Sequence, residues 1–108
     1  MVRTLKFIVD RQIIRQDPAC DFSDLIPGTE GYLKAEFSFS PEWKGCVKVA
    51  DFQCYGIEYP PQILADGKTC KIPMEAAAMP YFQIGVLGKR KGFKITTNKI
   101  LVVQDGGT

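Results

Sequence analysis

Apolar and polar residues alternate along much of this chain with a period of two, the pattern of strands with one buried face. In "YLKAEFSF", Leu33, Ala35, Phe37 and Phe39 share one face, while Lys34, Glu36 and Ser38 share the other. That predicts a half-buried antiparallel strand. Phe7-Ile8-Val9 in "MVRTLKFIVDRQ" marks a first strand, because Asp10 and Arg11 stop the apolar run well short of a signal sequence. "VKVADFQCY" is also strand-like, but Val49 and Phe52 differ in parity, which predicts a bulge or a strand buried on both faces.

Turn residues divide the rest. "GIEYPPQILADGKTCKI" predicts two short strands around a hairpin turn at Asp66-Gly67, and Pro60-Pro61 confines its segment to an edge or a crossing between sheets. "PMEAAAMP" predicts one short helix near residues 74–79, opened by Pro73, favoured by alanines and stopped by Pro80. "YFQIGVLG" and "FKITTNKILVVQ" predict a hairpin around Lys89-Arg90-Lys91-Gly92. Thr96-Thr97-Asn98 would kink its second strand, leaving Ile100 to Val103 as an apolar run suited to a central position. "RQDPACDFSDLIPGTEG" reads as a polar loop with one short strand at most. The expected class is all-β, an antiparallel sandwich of about seven or eight strands, with a small barrel as the competing architecture.

The only tryptophan interrupts this pattern, since Trp43 lies in the turn "SPEWKG" between two strands. An indole buries roughly 150 to 250 Å², worth about 4 to 6 kcal/mol at about 25 cal/mol per Å². The turn is therefore expected to fold inward and plug one end of the sandwich. The expected core also contains Leu33, Phe37, Phe39, Phe52, Ile72, Ile84, Val86, Ile95 and Val102.

At 108 residues the chain predicts one domain, a sandwich over 1–104 with "DGGT" at 105–108 as a tail. A net charge of +2 does not call for nucleic acid as a partner, and no apolar run is long enough for a membrane-spanning helix. With no histidine the commonest general base and metal ligand is missing. Cys20, Cys46, Cys54 and Cys70 form no C-x-x-C pair, so neither a metal nor a cofactor is expected. Without export the thiols stay reduced, although Cys46 and Cys54, read as lying on facing strands, leave one disulfide open. Asp10, Asp17, Asp21, Asp24 and Glu30 read as solvated loop carboxylates, and no enzyme motif is present. Interface candidates are Tyr55, Tyr59 and Tyr81, aromatic rings with a polar tip, and the basic tip Lys89-Arg90-Lys91.

"FSFSPEWKGCVKVADF", "ILADGKTCKIP", "YFQIGVLG" and "ITTNKILVVQDGG" together resemble a family of phage structural domains. These are the immunoglobulin-like domains of baseplate and tail proteins, also found as small stand-alone reading frames, in phages and prophages of Firmicutes and other gut bacteria. The resemblance spans about residues 31–106 and rests on Trp43-x-Gly45, the strand ending near Phe52, Cys70-x-Ile72-Pro73 and the Thr96-Thr97-Asn98 kink. Arg11 to Gly31 and Pro60-Pro61 depart from the family pattern. The resemblance implies an immunoglobulin-like sandwich in a virion, made in the bacterial cytoplasm, with no catalytic residues to carry over. Its partners would be other virion proteins, with self-association left open. Two alternatives stand beside it: an accessory protein inhibiting a host defence enzyme, and a carbohydrate-binding module using the tyrosines.

Overall fold

The structure, a computed structural model, describes residues 2–104. Its strands are β1 (Arg3–Asp10), β2 (Ile13–Gln16), β3 (Leu33–Phe39), β4 (Val47–Cys54), β5 (Ile57–Glu58), β6 (Gln62–Ile63), β7 (Thr69–Lys71), β8 (Tyr81–Arg90), β9 (Phe93–Thr96) and β10 (Ile100–Val103). A 3-10 turn spans Pro41–Trp43, and a short helix, α1, spans Met74–Ala77. The strands form two packed sheets, one ordered β2-β1-β3-β7 and the other β10-β8-β4-β5, with β6 also on β4 and β9 also on β8. The class is all-β, a two-sheet sandwich with one short helix.

The core follows from alternation. Leu5, Phe7 and Val9 of β1 and Leu33, Ala35 and Phe37 of β3 face inward, opposite Ala50 and Phe52 of β4 and Phe82, Ile84 and Val86 of β8. A column of rings runs along the first sheet: Phe22 to Phe7 (5.4 Å between centroids), Phe7 to Phe37 (5.5 Å), Phe37 to Phe39 (5.8 Å) and Phe39 to Trp43 (5.1 Å). Trp43 ends the column and is fully buried, its indole Nε1 donating to the Arg11 carbonyl at 2.8 Å. The turn folds inward as its composition predicts. Phe39, expected inside, is only half-buried.

Several expectations need correction. β1 and β3 run parallel, paired from Arg3–Leu33 to Val9–Phe39. The β1–β2 hairpin and the loop over residues 17–32 return the chain to the end where β1 began, which is the long crossover that a parallel pair requires. β4 carries no bulge: its pairing with β8 is continuous, Ala50, Phe52 and Cys54 point inward, and Val49 lies on the outer face against Ile63 and Leu87. Asp66-Gly67 does not close a hairpin, because β6 pairs with β4 and β7 pairs with β3; the turn carries the chain between sheets. α1 ends at Ala77, and Gln104 caps it from the far end of the chain, donating to the carbonyls of Ala77 and Met79. The strand count exceeds expectation because Tyr59-Pro60-Pro61 separates β5 from β6 and a bulge separates β9 from β10.

That bulge is the predicted kink. Between the pairs Ile84–Ile100 and Leu87–Thr96, β8 supplies Gly85 and Val86 while the opposing strand supplies Thr97, Asn98 and Lys99. Thr97 bonds both backbone groups of Val86, and Asn98 Oδ1 accepts from the Ile14 amide at 2.9 Å, tying the two sheets together. β10 lies at the sheet edge, not its centre: Val102 is buried while Leu101 and Val103 stand exposed. Residues 105–108, expected to form a tail, lie outside the described residues.

Candidate docking surfaces

The outer face of the second sheet gathers the tyrosines unequally. β4 and β5 are joined by Tyr55-Gly56, both at positive φ (52° and 76°), a two-residue turn of the kind that favours Asn-Gly. This turn swings the Tyr55 ring, 67% exposed, edge-on against Tyr81, with centroids 5.2 Å apart. Tyr81 pairs with Val103 across the sheet, and Leu101 lies two residues along on the same face. Contact with the Tyr55 phenol, together with desolvation, pushes the Tyr81 hydroxyl above its ordinary pKa. Tyr59 does not join them; its ring packs against the core.

A second apolar cluster on this face contains Val47, Val49, Ile63 and Leu87. Between the clusters run the Gln53–Gln83 side-chain hydrogen bond (2.9 Å), Asp51, and Lys99, which lies across Gly85. A Cβ on Gly85 would stand 2.9 Å from Lys99 Cγ, so the glycine keeps this strip flat. Desolvation raises the Asp51 carboxyl above the ordinary value, against the attraction of Lys99.

The basic tip separates into two roles. Arg90 donates to the carbonyls of Glu42 (3.0 Å) and Lys44 (3.1 Å) and lies 3.9 Å over the Phe93 ring, so its guanidinium braces the Trp43 turn rather than standing free for a partner. Lys89 and Lys91 are exposed. The cysteines are free, and Cys46 and Cys54 flank opposite ends of β4 instead of lying on facing strands. Seven strand steps, about 23 Å, separate the ends of β4, far beyond disulfide reach. Cys20 is half-buried and the other three are buried; burial raises the Cys70 thiol to about 12.

Two features escape the sequence. Gly88 lies under the indole, where a Cβ would meet Trp43 Cε3 at 2.7 Å, a contact between residues 45 positions apart. Tyr55-Gly56 lacks the Asn or Asp that signals its turn, and only the glycine hints at it. Among the described residues no group of three or more His, Cys, Asp or Glu is placed to hold a metal ion, and no helix is long and apolar enough to cross a membrane. No protein-family model, curated protein or solved structure matches the chain.

Proposed function

We infer that the protein is a non-catalytic docking module of a phage tail or baseplate, binding other virion proteins through the outer face of its second sheet. The observation that carries this reading is Tyr55, a bulky residue held at φ 52° and 67% exposed. A non-glycine residue in that conformation costs roughly 1–3 kcal/mol. Asn or Gly would relieve the strain, but neither would offer a large ring with a polar tip, the kind of group enriched at interface centres. Exposed Leu101 and Val103 extend the same surface. The 63° angle between the Tyr55 and Tyr81 rings breaks up the flat platform that a sugar ring stacks on, which favours a protein over a glycan.

The virion assignment draws on the resemblance around Trp43, Cys70-x-Ile72-Pro73 and Thr96-Thr97-Asn98. Gradient-purified particles of the encoding phage or prophage test it. The chain is expected in them at stoichiometric level, with Tyr55→Ser/Tyr81→Ser folded but excluded. Recovery only from the particle-free lysate, bound to a host enzyme, overturns the virion reading in favour of an inhibitor.

A further inference from the structure

We propose that the protein associates head to tail with copies of itself, the acidic loop before β3 of one molecule docking in a lysine-lined groove beside the Trp43 turn of the next. This rests on different surfaces from the tyrosine face and does not depend on a virion role.

The groove, about 690 Å³, lies over the half-buried Phe39 ring, with Phe37 and Trp43 buried beneath it, and is walled by Lys44, Lys48 and Lys68, with no carboxylate among its described lining residues. β7 pairs only with Lys34–Glu36 of β3, so beyond the bond from the Phe37 amide to the Lys68 carbonyl the flank of β3 opens into the groove. Lys48 is held 5.2 Å over the Phe39 ring, while Lys44 and Lys68 are exposed. An occupant must bring negative charge to meet the lysines and a small apolar group to meet what the Phe39 ring leaves exposed.

The loop over residues 17–32 has that chemistry. Asp21, Asp24 and Glu30 are exposed, and between them Ile26 stands 57% exposed. The loop is already ordered: Phe22 packs edge-on against Phe7, Leu25 is buried, and the Arg3 guanidinium donates to the carbonyls of Asp21 (3.0 Å), Ser23 (2.7 Å) and Asp24 (3.4 Å). Docking a preorganised loop avoids most of the entropy of ordering one. Arg3 is committed to backbone oxygens and attracts only the Asp21 carboxylate, while among the described residues neither Asp24 nor Glu30 has an ion-pair partner.

Asp24 and Ile26 of the loop lie beside Leu33 at the start of β3, whereas the groove is lined by Phe37–Ser40 at its other end, about 13–20 Å further along the strand. A molecule therefore cannot fill its own groove. Because the two surfaces differ, each contact leaves a free loop at one end and a free groove at the other, so the assembly grows into a ring or an open chain.

Sedimentation of two capped variants tests this. Lys44→Glu/Lys68→Glu blocks the groove, and Asp24→Asn/Ile26→Ser/Glu30→Gln blocks the loop; every altered side chain is exposed, and Trp43 emission reports that folding is intact. The wild type is expected to gain mass with concentration up to about 100 μM, and to lose association at least about tenfold when salt rises to about 0.5 M. Each capped variant alone should stay monomeric, and an equal mixture should form a dimer and nothing larger. A wild type monomeric to about 1 mM overturns the proposal. So does self-association of either capped variant, failure of the folded mixture to pair, or a groove that takes unrelated acidic peptides but not this chain.

Discussion

Gly88→Ala puts the packing of the Trp43 plug to a quantitative test. The new Cβ would lie 2.7 Å from Trp43 Cε3, 2.8 Å from Cζ3 and 3.3 Å from Cys46 Cβ. Carbon contacts settle near about 3.5–4.0 Å, so something must move by nearly 1 Å. The backbone of β8 is held between β4 and β9, with Gly88 paired to Lys48 and Ile95. The indole is held by its bond to the Arg11 carbonyl and by the Phe39 ring. Overpacking of this kind costs about 1–3 kcal/mol, against about 0.5–1 kcal/mol recovered by replacing a strand glycine. The expected net loss is about 1–2 kcal/mol, a fall in Tm of roughly 5–15 °C for a domain this size. Trp43→Phe removes part of the indole and leaves the Arg11 carbonyl unpaired, itself a loss of about 1–3 kcal/mol. In that background the added methyl enters vacated space, so the Gly88→Ala cost should shrink to near zero, a coupling of at least about 1 kcal/mol. Urea unfolding followed by far-ultraviolet circular dichroism reads all four proteins alike. Costs that add within about 0.5 kcal/mol would refute the contact as the reason for the glycine.

Three further outcomes can be checked with simple variants. Tyr55→Asn should leave the unfolding free energy within about 0.5 kcal/mol of wild type, since relief of turn strain offsets the lost edge-on ring contact, whereas Tyr55→Val loses the contact and keeps the strain; equal damage from the two contradicts the strained turn. Burial holds the Cys70 thiol at about 12 against an ordinary 9.0, so the folded state keeps its proton longer than the unfolded chain. That contribution is complete below pH 9.0 and lost above it at about 1.4 kcal/mol per pH unit, a slope that Cys70→Ala should flatten in alkaline urea titrations. Asp66 accepts bonds from the amides of Lys68 and Thr69 and from the Thr69 hydroxyl, which hold its carboxyl well below the ordinary 3.8. Its stabilisation is present above 3.8 and is lost as pH falls toward the folded value, so Asp66→Asn should show a shallower acid decline of Tm than wild type.

What the sequence made legible was local. Alternation identified the inner face of β3, the Pro41–Gly45 composition marked the inward turn, and Thr96-Thr97-Asn98 marked the bulge, because each signal spans only a few residues. Pairings between distant segments were not legible. The parallel match of β1 to β3 depends on where the loop over 17–32 re-enters the sheet, and nothing in either strand's own pattern distinguishes a parallel neighbour from an antiparallel one. Ile100–Val103 looked central because it is apolar throughout, yet its outward residues are exposed at an edge. Arg90 looked like a free charge because its acceptors are backbone carbonyls, which sequence does not single out. Tyr55 stood out as an interface candidate by residue type alone, but its conformation was hidden by the absence of Asn or Asp.

The plug and the groove are one structural event. Once Trp43 turns inward over Gly88, its turn carries Pro41 and Lys44 to the rim of the space beside Phe39, and Arg90 holds the carbonyls of Glu42 and Lys44 in place. A change under the indole, such as Gly88→Ala, must therefore disturb stability and the groove together. Lys44→Glu and Lys68→Glu touch only exposed side chains and leave the turn's backbone contacts intact. If head-to-tail docking uses this groove, the lysine variants should lose association at unchanged Tm, while Gly88→Ala should lose both in proportion. A Gly88→Ala protein that is destabilised yet associates like wild type would mean that the Trp43 turn does not shape the docking surface.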